Sequence, residues 1–243
     1  LDYFKTKKNL LSAFMNFVNN LPFYGYSILC IDNLNLKKLS KKIKKRKIIT
    51  YSKNQNSDVK IVKIKKNRNN TSFTLLFNKG IIKNIKGEFK FVLTLLGEHN
   101  ILNATAAIIA SLLCGVPVKN IKNSLSSFQG VKRRFTLLGK IKKAEIYDDY
   151  AHHPSEIKAS YEIAKQVARK EIIVIFQPHR YSRTQYLFNE FVKVLNRIGI
   201  LYILDIYSAG EKPIKNINSK NLVKELKNKR NNKVFYLNHK NNI

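Results

Sequence analysis

What the sequence lacks narrows it first. It has only two cysteines, Cys30 and Cys114, 84 positions apart in apolar surroundings. That excludes a disulfide scaffold, and the spacing fits no metal site. Both cysteines read as small core residues in a reducing compartment. No apolar run reaches the roughly 18 residues that a membrane span requires. The nearest candidate, 101–118, is interrupted by Asn103 and Thr105 and followed by Lys119. No charged segment leads into a pure apolar stretch, so no signal peptide is expected and the cytoplasm is the default location. The chain opens on Leu1 rather than methionine, and a fragment of a longer protein is expected.

Acidic residues are also scarce, 15 against 46 basic ones, for a formal charge of +31. Such an excess can mark a nucleic-acid binder. Here only nine of the basic residues are arginine, and lysine accompanies asparagine and isoleucine along the whole length. This is a drift of composition rather than a localised binding face. The densest stretch, 37–47, reads as a solvated helix face or loop. Weak attraction to polyanions is expected, specific nucleic-acid recognition is not. At 243 residues and 44% hydrophobic content, the chain suffices for one large domain or two ordinary ones.

Residues 7–21 carry an apolar stripe at helical spacing (Leu10, Leu11, Phe14, Phe17, Val18, Leu21), and 27–31 is a short buried strand. Alternating runs at 59–64, 72–77 and 88–96 suggest a small antiparallel or edge sheet. A strongly helical segment opens at Gly97 and runs to Cys114, with Gly115 placed as a C′ residue. Pro117 starts a further helix ending near Phe128. A hinge is expected at 129–132. Beyond it strands (144–147, 171–176, 201–206, 234–237) alternate with helices (155–168, 184–197, 219–228). That rhythm predicts a parallel sheet with helices on both faces. The expected domains are 1–133 and 134–243.

Scarce functional side chains gather after two of the predicted strands. Asp148-Asp-Tyr-Ala-His-His-Pro-Ser-Glu156 holds two carboxylates and two imidazoles at a strand-to-helix junction. Phe176-Gln-Pro-His-Arg-Tyr-Ser-Arg183 holds His179, Arg180 and Arg183. Polar groups at strand ends build active sites in α/β domains. Carboxylates can hold ribose hydroxyls or Mg²⁺, and guanidinium forks suit a carboxylate or phosphate. Retention of arginine in a chain that writes nearly every cation as lysine indicates that fork geometry matters. Arg133-Arg134 could reach an anionic ligand. Asn100 and Asn103, beside His99, could read a base edge. Each stretch has a plainer alternative when read alone: a polar surface turn, an exposed basic turn, a solvated linker, or a helix cap. Adjacent histidines diverge and no third and fourth ligand stand at zinc spacing, so no metal ligand is assigned.

Together these stretches resemble the Mur ligases of peptidoglycan synthesis. Asn20-Leu-Pro-Phe-Tyr-Gly25, Gly97-Glu-His-Asn-Ile-Leu-Asn-Ala104, Phe128-Gln-Gly-Val-Lys-Arg-Arg-Phe135, the 148–156 and 176–184 stretches and Tyr207-Ser-Ala-Gly-Glu211 occur in that family's order. The Pro-His-Arg-Tyr-Ser-Arg stretch is similar to the alanine-adding branch; the tripeptide-recycling branch lacks it. The resemblance implies an α/β fold: the latter part of a central ATP-binding domain, then a Rossmann-like C-terminal domain. It implies an ATP-dependent amide ligase acting on UDP-N-acetylmuramate and L-alanine through an acyl phosphate, with ATP and Mg²⁺. It further implies that His99, Asn100 and Asn103 contact the adenine end of ATP. Arg134 and Asp149 would hold the nucleotide from the C-terminal side, and His153, His179, Arg180 and Arg183 would bind the alanine carboxylate. Domain closure near Lys132 would unite the sets. No phosphate-binding loop of the Gly-x-x-Gly-Lys-Thr kind occurs in the chain. The resemblance further implies that the family's sugar-binding domain and final strand lie outside these 243 residues, which alone are expected to lack ligase activity.

Overall fold

In the computed structural model, residues 3–229 and 233–238 are described. The chain forms two compact units, Leu1–Gln129 and Gly130–Ile243.

In the first unit α1 (Lys7–Asn19) is capped by Thr6, whose hydroxyl accepts from Asn9 N at 3.1 Å. β1 (Tyr26–Cys30), α2 (Leu34–Ser40), β2 (Lys47–Ser52), β3 (Val59–Lys66), β4 (Thr71–Ile82) and β5 (Ile85–Leu93) follow, then α3 (Glu98–Leu113) and α4 (Val118–Ser127). The five strands lie in sequence order. β1, β2 and β3 are parallel, while β3, β4 and β5 form an antiparallel meander. The sheet is thus larger than the alternating runs predicted, because β2 was hidden behind the lysine-rich stretch. That stretch divides between α2, a turn and the first residue of β2.

α3 buries Ile101, Ala104, Thr105, Ile108, Ile109 and Leu112, one stripe at helical spacing. All but Thr105 pack in one cluster with Val59, Phe73, Leu75 and Leu93 of the sheet. Gly115 follows the helix at φ 80°, a conformation that favours glycine, as the C′ reading required. The helix that the stripe at 7–21 predicts forms as α1, with only Val18 of the stripe buried and Phe17 72% exposed. The core placement expected of the cysteines fails at Cys114. Cys114 is exposed because it sits at the C-cap, past the last buried turn.

The second unit opens with a hairpin, β6 (Thr136–Ile141) and β7 (Ala144–Asp148), paired antiparallel. Then come α5 (Pro154–Val167), β8 (Ile173–Phe176), α6 (Tyr181–Tyr186), α7 (Phe188–Leu195), β9 (Ile200–Leu204), α8 (Ser219–Lys229) and β10 (Lys233–Leu237). β8, β9 and β10 form the parallel sheet the alternation predicted, in the order β10-β9-β8. β7 lies outside it, since its partner is the chain immediately before it. Register puts Val174, Leu201 and Val234 on one face, clustered with Phe191 and Leu195 of α7 and Leu222 and Leu226 of α8. On the other face lie Ile175, Tyr202 and Phe235, with Ile175 63% exposed. Both crossovers run in the same direction along the sheet, so α7 and α8 cover one face rather than two. The single helix expected over 184–197 is broken at Leu187 (φ −110°, ψ 20°). The break lets Phe191, Val192 and Leu195 turn into the core independently of α6.

Candidate functional site

In the first unit the relevant side chains meet where β1 and β2 end and α3 begins. Gly97 stands at φ 94° before the helix, and Asn100 and Asn103 share one face of its first turns. Asn100 Nδ2 donates to Leu96 O at 2.7 Å, which fixes the amide plane, while Asn103 is exposed. Glu98 ties this helix start to the sheet, accepting from Lys53 Nζ at 2.5 Å with Lys66 at 3.9 Å. Asp32, just past β1, accepts from Ser52 Oγ (2.6 Å), Lys53 N (2.8 Å) and Asn54 N (3.2 Å). Burial alone raises its pKa, but the Ser52, Lys53 and Asn54 hydrogen bonds outweigh burial and leave it lowered. Asp32 and Lys53 escaped the sequence reading, their only signal being position at element ends; Glu98 lay within the 97–104 stretch but was given no role.

In the second unit the hairpin places Arg133 beside Asp148 (Nε to Oδ2 3.3 Å) with its guanidinium 4.7 Å over the Tyr150 ring. Asp149 accepts from Phe135 N at 2.9 Å and Ala151 N at 2.7 Å, so both carboxylate oxygens hold backbone. Arg134 is exposed and among the described residues makes no ion pair. Its neighbour Arg133 takes the internal partner.

The paired histidines take different directions. His153 caps α5: Glu156 accepts from the backbone N–H of both histidines, and Ser155 N donates to His153 Nδ1 at 3.3 Å. His152 instead donates Nδ1–H to Tyr150 O at 2.9 Å, and its ring lies 5.9 Å from that of His179. Burial pushes the Glu156 carboxyl up, but the backbone N–H and nearby imidazole of His152, then those of His153, leave it lowered.

At the end of β8 the chain continues alongside β9. His179 bridges Tyr207, and Arg180 N donates to Tyr207 O at 2.8 Å. The His179 ring sits 5.0 Å from the Tyr207 ring and 6.2 Å from that of Tyr150. Arg183 Nη1 lies 3.5 Å from His179 Nδ1 and donates to His179 O at 3.4 Å. Nδ1 therefore acts as acceptor and the neutral ring carries its proton on Nε2. Burial lowers the His179 pKa, and Arg183, His152 and Arg180 lower it further; Glu211 opposes them. Glu211 accepts from Ser182 N (2.9 Å) and Ser182 Oγ (2.6 Å), with Arg180 Nη1 at 3.9 Å. Those bonds from Ser182 lower the Glu211 pKa.

The structure thus brings together His179, Arg180 and Arg183, adds His152, Tyr150, Tyr207, Ser182 and Glu211, and uses His153 as a helix cap. Concavities of about 430 and 470 Å³ lie elsewhere, beside α8 and α1. Among the described residues no group of three or more His, Cys, Asp or Glu could hold a metal ion. Nor is any described helix long and apolar enough to cross a membrane.

Residues 1–111 match the Mur ligase middle domain, and residues 133–243 match the Mur ligase, glutamate ligase domain. The chain belongs to the Mur ligase family. Within that family it is similar to UDP-N-acetylmuramate–L-alanine ligases. It is 44% identical to that of Rickettsia felis over 245 residues, covering 98% of this chain and 51% of the relative. It is 45% identical to that of Wigglesworthia glossinidia brevipalpis over 229 residues, covering 90% and 47%. The chain spans about half the length of the curated relatives it matches. Among solved structures, the UDP-N-acetylmuramate-alanine ligase of Thermotoga maritima shares the fold at a TM-score of 0.73 and 23% identity, covering 97% of this chain and 47% of that one. The MurF ligase of Thermotoga maritima, solved in complex with ADP, does so at 0.66 and 17%, covering 97% and 54%.

Proposed function

We propose that this chain supplies the adenine-facing and amino-acid-binding parts of an ATP-dependent ligase that joins L-alanine to UDP-N-acetylmuramate in peptidoglycan synthesis. The observation that carries the reading is the cationic turn at the ends of β8 and β9. Arg180 and Arg183 offer guanidinium forks beside a neutral His179, and forks of this kind match a carboxylate. A free amino acid presents that carboxylate whatever its side chain, so the turn orients the substrate. The α-amino nitrogen, once deprotonated, attacks the acyl phosphate carbon. The C–N bond forms, the C–O bond to phosphate breaks, and inorganic phosphate leaves.

The roles of this chain's residues follow from chemistry at each position. Arg180 and Arg183 hold the L-alanine carboxylate, with His179 and His152 walling the same space. His153 contributes by capping α5, which fixes where His152 points. Asn100 and Asn103 face the adenine, with His99 adjoining and Glu98–Lys53 anchoring the helix start. Arg134 extends toward the nucleotide, and Asp149 shapes the loop that presents it. Mg²⁺, which such phosphoryl chemistry uses, finds no ligand cluster among the described residues. The cytoplasm, where UDP-sugars and ATP are at hand, is the location this reading implies.

The test replaces the matching half of the Rickettsia felis ligase with this chain. Phosphate release by that polypeptide is then followed with UDP-N-acetylmuramate, ATP and a panel of amino acids. Release that depends on L-alanine supports the reading. A soluble, folded polypeptide that prefers another amino acid or a tripeptide overturns it.

A further inference from the structure

Arg180 occupies φ 74°, ψ 137°, a region ordinarily left to glycine. A residue with a Cβ stays there only if its surroundings hold it. Part of that hold is backbone: Arg180 N donates to Tyr207 O at 2.8 Å and Thr184 Oγ1 donates to Arg180 O at 2.8 Å. The remaining hold comes through Ser182, whose N–H and hydroxyl both donate to Glu211, 29 positions further on, at 2.9 and 2.6 Å. Arg180 Nη1 is 3.9 Å from the same carboxylate. That distance gives attraction without a hydrogen bond, so the guanidinium keeps its donors for another acceptor.

We infer that Glu211 is a positioning residue: it clamps Ser182, fixes the strained Arg180 turn, and thereby aims the Arg180 fork at the ligand carboxylate. The inference rests on the amino-acid site proposed above. The depressed pKa of Glu211, caused by the Ser182 bonds, keeps the clamp ionised through the neutral range. Two hydrogen-bonding atoms at the reach of a glutamate are needed, one for each Ser182 group. Glutamine can supply the same contacts, with its carbonyl accepting the N–H and its amide donating to the hydroxyl. Aspartate is one methylene short and alanine has neither oxygen.

The test uses the complete 243-residue chain, titrated with L-alanine and followed by ¹H–¹⁵N NMR, alongside amide hydrogen exchange at Ser182. Glu211→Ala and Glu211→Asp are expected to weaken L-alanine about tenfold, about 1.4 kcal/mol, and to speed exchange at Ser182. Glu211→Gln is expected to restore both. Arg180→Ala reports on the site itself. If Arg180→Ala abolishes binding while Glu211→Ala binds as the wild type does, positioning is overturned and the site reading stands. If neither the wild type nor any variant responds to L-alanine, the site reading falls. The clamp is still decided by exchange: unchanged Ser182 protection in a folded Glu211→Ala overturns it.

Discussion

Phe135 and Asp149 are fourteen positions apart, yet the carboxylate of Asp149 accepts the backbone N–H of Phe135 at 2.9 Å. The same carboxylate accepts Ala151 N at 2.7 Å, so one side chain closes the open end of the β6–β7 hairpin and shapes the loop leading to His152. Asp149→Ala leaves two backbone donors without this acceptor. The expected cost is about 1–3 kcal/mol, with Asp149→Asn, which keeps one carbonyl oxygen, losing less. Urea unfolding of the second unit measures both, and equal stability for all three proteins would refute the assignment.

Arg180→Lys and Arg183→Lys test whether fork geometry matters beyond charge. A lysine offers a point charge where arginine offers paired donors. Each change in the chimeric ligase is expected to raise KM for L-alanine by roughly 10- to 100-fold, corresponding to about 1.4–2.8 kcal/mol, with a smaller effect on KM for ATP. An unaltered KM for L-alanine in both variants would remove the turn from the amino-acid site.

The environment of His179 sets a pH dependence of stability and of ligand binding. Its pKa lies below the ordinary 6.5 because of burial, then Arg183, His152 and Arg180, against the opposing Glu211. The rings of Tyr150 and Tyr207 complete its surroundings. As pH falls below 6.5, the unfolded chain takes up this proton before the folded one does. The stability due to neutral His179 is therefore present above 6.5 and is lost as pH falls through the folded value. A bound carboxylate supplies negative charge and raises that pKa, so L-alanine binding should strengthen as pH falls through the same window. NMR titration of the His179 ring with and without L-alanine gives the answer; a bound-state pKa at or below the free one contradicts the site.

Phe191 has no solvent exposure and packs 5.7 Å from the Phe176 ring at the centre of the second unit. Phe191→Ala is expected to cost about 3–5 kcal/mol. The loss should fall on the second unit, since the first has its own core around Phe73 and Phe91. Calorimetry that shows both units melting earlier by the same amount would contradict separate cores.

Legibility in the sequence followed burial. β8, β9, β10 and α8 were readable because their apolar residues face one core. β6 was not, because Thr136–Ile141 alternates weakly and is mostly exposed. The break at Leu187 also left no mark, since Phe188 and Phe191 keep helical spacing across it. In the site, composition singled out His179, Arg180 and Arg183 as scarce groups at a strand end. It could not tell His152 from His153, because adjacent side chains diverge and only backbone torsions decide which one caps α5. Glu211 stood in a recognisable stretch, but its partner Ser182 lies 29 positions away, a separation no local pattern reports.

The hairpin that begins the second unit separates two kinds of tolerance to change. Its base is fixed by the Thr136↔Asp148 pair and the Asp149 bonds, while its turn at Lys142 and Lys143 is exposed and Lys142 sits at φ 53°. A residue inserted at the base shifts the β6–β7 register and reverses the faces of the rest of that strand. An insertion at the tip lengthens an exposed ribbon and leaves Arg133, Asp148 and Asp149 where they are. The tip is therefore the place to graft a fluorophore or an affinity handle, giving a reporter on this unit that leaves the cationic turn intact.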